Sequence, residues 1–91
     1  MAKPEWWNDE GLKALSARAV RAAPNDLQAN QMRAAVLCGG NGTWVAGPRS
    51  AVEFKEAATH FERAVALHPI PAAKAKLAES AERCRRKADA M

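Results

Sequence analysis

The sequence predicts an all-α domain of about four antiparallel helices, on three observations. Alanine supplies 22 of the 91 residues while β-branched side chains are few, which favours helix over strand. Proline and glycine at Pro24, Gly39-Gly40, Pro48 and Pro69 divide the chain into segments of helical length. Two of those segments carry apolar stripes whose steps are three or four residues, the period of one helix face.

The first segment is expected from Pro4, suited to a first helical turn, to Ala23, where Pro24 ends it. A second helix follows the capping candidates Asn25 and Asp26 and stops at Gly39-Gly40, glycine being the residue that closes a helix in the left-handed conformation. Ser50-Ala51-Val52-Glu53 opens the third as a capping box, in which the Ser hydroxyl and the Glu carboxylate each satisfy a backbone N–H of the first turn. That helix should run to about Leu67 with Phe54, Ala57, Phe61, Ala64 and His68 as its stripe, and stop before Pro69. The fourth starts near Pro71 and reaches the C-terminus, with Ala73, Leu77, Ala81, Cys84, Ala88 and Met91 inward. Residues 39–49 hold four glycines and Pro48 and read as a long loop. Its Trp44-Val45 pair is expected to fold back onto the helices, because leaving so much apolar surface in water is costly.

Within the third segment, Ala57-x3-Phe61-x2-Ala64-x4-Pro69 reproduces the second half of a known repeat pattern, and the whole chain resembles tetratricopeptide repeat proteins. A weaker copy places Ala19 and Pro24 where Ala64 and Pro69 stand, with Ser16 in place of the aromatic. In the second segment Leu27, Ala34 and Leu37 fit a first repeat helix, while Asn30 stands where the family prefers Trp. The resemblance implies antiparallel helical hairpins: one second-type helix, one complete repeat carrying the 39–49 loop as an insertion, and a final first-type helix that caps the stack. Small residues at 57 and 64 would let helices approach, with Phe61 filling the gap between them. The same stripes and caps also satisfy an antiparallel four-helix bundle.

Composition bounds what such a domain can do. Only 17 residues are Leu, Val, Ile, Phe or Trp, too few for a large buried active site in one small domain spanning 1–91. No phosphate-cradling loop followed by Lys, no G-x-G-x-x-G and no H-E-x-x-H occurs, so the expectation is a non-enzyme without cofactor. His60 and His68, eight residues apart, lie two helical turns and about 80° from one another and cannot chelate one ion together. His68, at a helix end, is expected to cap a carbonyl, and Cys38 and Cys84 to be small hydrophobes sharing a site only if they lie close. Two cysteines and an acidic start without an apolar run lead to an expected intracellular, cytoplasmic location. The longest uncharged stretch, Ala34 to Pro48, is too short and glycine-rich for a membrane span.

The net charge of +4 gathers at the end of the chain, since residues 72–91 carry six basic and three acidic side chains. Cations there stabilise a helix macrodipole, and they also make a cationic surface. The function expected is therefore an adaptor or scaffold, a protein-interaction module binding a peptide or partner helix in a helical groove. From the resemblance, Gln28, Gln31, Ala35 and Cys38 of the second segment and Lys76, Ser80 and Arg83 of the fourth would line that groove and suit an acidic partner. Arg85, Arg86 and Lys87 are expected to point elsewhere around the helix. Adjacent Trp6 and Trp7 point about 100° apart, so both cannot pack equally, and an exposed one would be an interface candidate. A nucleic-acid or anionic-surface binder is a lesser alternative, as no aromatic accompanies the basic C-terminus. A small subunit of a larger assembly, with self-association, is another, because fewer than two repeats make an incomplete solenoid.

Overall fold

The computed structural model describes Glu5, residues 7–39 and residues 47–91. It is all-α, with no strand among the described residues: α1 (Asp9–Ala22), α2 (Leu27–Leu37), α3 (Ala51–Leu67) and α4 (Pro71–Asp89). The expected loop over 39–49 is seen at its two ends, while Trp44 and Val45 lie outside the described residues.

Three of the four helix starts follow from local chemistry already visible in the chain. The Asp26 carboxylate accepts the Ala29 N–H at 2.9 Å to cap α2. At α3 the Ser50 hydroxyl accepts from the Glu53 N–H at 3.1 Å and the Glu53 carboxylate accepts from the Ser50 N–H at 3.0 Å, completing the capping box. Pro71 occupies the first turn of α4, where its missing N–H costs nothing. Helix α1 differs from expectation: it begins at Asp9, with Glu5, Trp7 and Asn8 outside the helix, not at Pro4. Asn8 caps it by accepting the Gly11 N–H at 2.8 Å, and Asp9 and Glu10 then complement the macrodipole. A side-chain cap followed by two acids defines the start better than a proline five residues upstream. Gly39 ends α2 with φ at +100°, a conformation only glycine adopts without strain.

Helix α3 is the centre of the molecule, packing on α2 along one side and on α4 along another, while α1 packs on α2. Among the described residues α1 and α4 do not touch, so the closed bundle in which first and last helices meet does not form. The core consists of Ala34 and Leu37 of α2, Ala57, Ala58 and Phe61 of α3, and Ala81 and Cys84 of α4. Alanine at four of these seven positions lets the backbones approach closely, and Phe61 is the largest side chain between them. Met91, expected at the end of the α4 stripe, lies beyond the helix and is exposed.

The α1–α2 junction is polar by comparison. Ser16 and Asn30, which replace aromatics in the resemblance, are both fully buried. The Arg33 guanidinium donates to the Lys13 carbonyl at 2.8 Å and the Ser16 hydroxyl at 3.2 Å. Asn30 Nδ2 donates to the Pro24 carbonyl at 2.9 Å and the Asp26 carbonyl at 2.8 Å, fixing the turn between the helices. Here buried hydrogen bonds position α1 where α3 and α4 rely on apolar packing.

Candidate functional site

Two concavities, sharing no residue, lie on either side of the α2–α3 pair. The first is a recess of about 150 Å³ between the end of α2 and the middle of α4, lined by Cys38, Phe61, Ser80, Arg83, Cys84 and Lys87. Three of the groove residues expected from sequence, Cys38, Ser80 and Arg83, therefore come together over Phe61 as floor. Gln28 and Lys76 are exposed and Gln31 and Ala35 half-buried, but none of these four lines the recess. The expectation that Lys87 points away is corrected: its ammonium lies 5.6 Å from the centre of the Phe54 ring and borders the same recess as Arg83. Phe54, about two turns before Phe61 on α3, holds it there. Arg85 is committed elsewhere, in an ion pair with Glu62. Among the described residues Arg83 has no carboxylate partner.

Cys38 and Cys84 are both free thiols, Cys84 buried and Cys38 half-buried. Burial pushes the Cys84 thiol up, and the neighbouring Cys38 thiol adds to this against Lys87 and Arg83. Cys84 is thus held as a neutral thiol, a packing group more than a nucleophile. Among the described residues no three His, Cys, Asp or Glu side chains converge as metal ligands would.

The second concavity, a cleft of about 420 Å³, opens between α1 and α3 over Arg33 of α2. Its lining includes Arg21, Arg33, Arg63, Glu56, Thr59 and His60. None of these was singled out from the sequence as a site residue. His60 is 7% exposed, and its Nδ1 lies 3.0 Å from Asn30 Oδ1. Both Asn30 amide hydrogens are already donated, so Oδ1 is the acceptor and His60 Nδ1 carries the proton. Burial lowers the His60 pKa from its ordinary 6.5, with Arg63 and Arg33 adding to the effect and Glu56 opposing it. A signal for this residue was present in the chain: His60 stands three after Ala57 and four before Ala64, on the flank of the buried stripe. His68, by contrast, does not cap a carbonyl as expected; its Nδ1 accepts the Ile70 N–H at 3.1 Å in the turn before α4.

The lowered His60 pKa makes stability pH-dependent with a definite sign. The unfolded chain takes up a proton near 6.5, the folded chain only below that, so unfolding binds protons in between. Stability is full above 6.5 and falls as pH drops through the folded value. Urea midpoints in phosphate-free buffer should decrease from about pH 7.5 to about pH 5.5, and H60Q should flatten that limb. A midpoint constant over this range would show that His60 titrates alike in both states. Glu53, lowered from 4.5 by the Lys13 ammonium at 2.7 Å and by the Ser50 N–H, contributes a separate loss only at more acid pH.

Of the two tryptophans expected to offer an interface, Trp7 is half-buried and Trp6 lies outside the described residues. No helix of the described residues is long and apolar enough to cross a membrane. Compared with protein-family models, with curated proteins and with solved structures, the chain finds no match.

Proposed function

We propose that this chain is a non-enzymatic protein-interaction module that takes an acidic, extended segment of a partner across α2 and α4. The observation that carries the reading is the recess itself. Cys38 from one helix and Ser80 and Arg83 from another converge on an aromatic floor, and both charged groups on the rim, Arg83 and Lys87, are positive. Further support comes from the resemblance, since Ala57, Phe61 and Ala64 of the repeat motif are buried between helices as a tetratricopeptide hairpin needs. Lys76, seven residues before Arg83 on α4, extends the cationic strip by two turns of one helix face. An acidic peptide would meet Lys76, Arg83 and Lys87 in succession, with Ser80 between them as a neutral hydrogen-bonding group.

Reversing Lys76 and Arg83 together to Glu should abolish binding of an acidic peptide while helicity and urea midpoint stay close to wild type. Both residues are exposed, and exposed substitutions usually change stability by no more than about 0.5 kcal/mol. The control is R86E on the same helix, outside the recess. It removes equal charge per site and should weaken only the salt-screened attraction. Equal losses from the double variant and the control, titrated at two salt concentrations, would remove the recess from the account and leave a general cationic surface.

A further inference from the structure

The α1–α3 cleft presents an arrangement that the peptide-binding reading does not use. Three arginines from three helices, Arg21, Arg33 and Arg63, line it against one carboxylate, Glu56, whose Oε2 accepts from Arg33 at 3.0 Å. Arg33 is held in place by the Lys13 carbonyl and Ser16 hydroxyl described above. Arg21 and Arg63 have no partner among the described residues. His60 is more than nine-tenths buried with its Nδ1 proton committed to Asn30, and its Nε2 has no partner among the described residues. Because no unpartnered side-chain nitrogen is sealed from solvent there, and His60 forms part of the cleft wall, Nε2 opens onto the cleft.

From this geometry we infer that the α1–α3 cleft is a phosphomonoester site, in which Arg21, Arg63 and Arg33 hold the phosphoryl oxygens and His60 Nε2 shares a proton with one of them. Charge and protons select this ligand over other anions. With a neutral imidazole the three arginines and Glu56 sum to +2, which a phosphomonoester at about −1.5 to −2 balances and a single carboxylate does not. Nε2 in the neutral ring accepts a hydrogen bond, and a phosphomonoester, whose second ionisation lies near 6, takes up at small cost the proton that fills it. Carboxylate, sulfate and phosphodiester groups ionise far below neutral pH and take up no such proton there. Guanidinium groups converging from separate helices suit the tetrahedral array of oxygens, and the cleft volume lies in the range of about 300–1,000 Å³ usual for small-ligand sites. Glu56, beside Arg33, disfavours anions too weak to compete for that guanidinium.

Proton sharing fixes the pH dependence. Arg63 of α3 and Arg33 of α2 oppose protonation of the imidazole and Glu56 favours it, while Arg21 of α1 lines the same cleft. A bound phosphate dianion reverses that balance, so above about pH 7 binding takes up a proton and affinity falls as pH rises. Below about pH 6 the free ligand already carries the proton and affinity levels off.

The test is a titration of the full isotope-labelled chain with inorganic phosphate, with sulfate, and with a phosphoserine peptide beside its serine counterpart, following the imidazole resonances of His60 and His68. Saturable binding of phosphate and phosphoserine peptide is expected, with the His60 titration moved to higher pH and His68 unmoved. Sulfate at pH 7.5 should bind about tenfold more weakly than phosphate, and R21A or R63A should each weaken phosphate about tenfold, the effect of one charge-assisted hydrogen bond. Both arginines are exposed, so these variants leave the core intact. Stronger binding of the phosphopeptide than of phosphate would identify a modified protein as the source, and equal binding a small metabolite; either ranking supports the site. Absence of saturation, equal movement of His60 and His68, equal binding of the unmodified serine peptide, or unchanged affinity in both arginine variants would overturn it.

Discussion

Replacing Phe61 by Ala should destabilise the protein by about 3–5 kcal/mol, the range for emptying a buried aromatic site. Phe61 is 8% exposed and, among the described residues, is the only aromatic side chain in a core otherwise made of alanine, leucine and cysteine. Its ring separates α3 from both α2 and α4, and the alanines around it carry only methyl groups, too short to fill the space. The total stability of a domain of this length is about 5–14 kcal/mol, so the loss is a large fraction of it. F61L, which keeps most of the volume, should cost much less and preserve a folded baseline for comparison. Denaturant unfolding of both variants decides the matter, and a loss below about 1 kcal/mol for F61A would show that Phe61 is not the plug between the helices. The same substitution should widen the recess whose floor Phe61 forms, so the proposed peptide binding should weaken together with stability.

The second large effect is expected at Arg49, which joins three parts of the chain. Its guanidinium pairs with Asp9 at the start of α1 through contacts of 2.8 and 2.5 Å, and donates to the Val36 carbonyl near the end of α2 at 2.9 Å. It also donates to the Gly47 carbonyl at 2.9 Å, closing the end of the 39–49 loop. The side chain of Arg49 is 3% exposed and that of Asp9 17%, so this is a nearly desolvated pair. Removing Arg49 takes the nearest cation from Asp9, which keeps the Gly47 N–H at 3.1 Å and the Lys13 ammonium at 3.9 Å, so R49M should cost about 2–3 kcal/mol, below the fully buried range. The double variant R49M/D9N should recover part of that loss, since the carboxylate that lost its closest countercharge is gone. If R49M is within about 0.5 kcal/mol of wild type by urea unfolding, the loop end and α1 are held by something other than this pair.

These two residues also show what the sequence discloses and what it does not. Phe61 was legible because the signals around it are local and periodic: the capping box at Ser50 and Glu53, the stripe through Ala57 and Ala64, and the stop before Pro69 all lie within one helix. Arg49 carried no such signal. Its partner Asp9 is 40 residues away, and a single ion pair at that distance leaves no period in the chain. The Asn30–His60 bond, over 30 residues, and the Arg33–Ser16 bond, over 17, were hidden for the same reason. Ser16 and Asn30 read as gaps in an aromatic pattern; in the structure they are the buried polar groups that take the place of those aromatics. Groove residues were partly legible, because helical spacing places Ser80 and Arg83 on one face of α4 and the end of α2 falls opposite. Lys87 was misplaced because its direction is set by the Phe54 ring, a contact that helical angle alone does not include.

In the proposed function α2 and α4 form one binding surface across α3. Amide chemical shifts of the labelled chain during titration with an acidic peptide are the decisive measurement. Saturable shifts are expected to concentrate at Cys38, Ser80, Arg83 and Lys87, to extend toward Lys76 and Ala35, and to be lost in K76E/R83E. Shifts scattered over all the basic residues, or confined to α1, would contradict it.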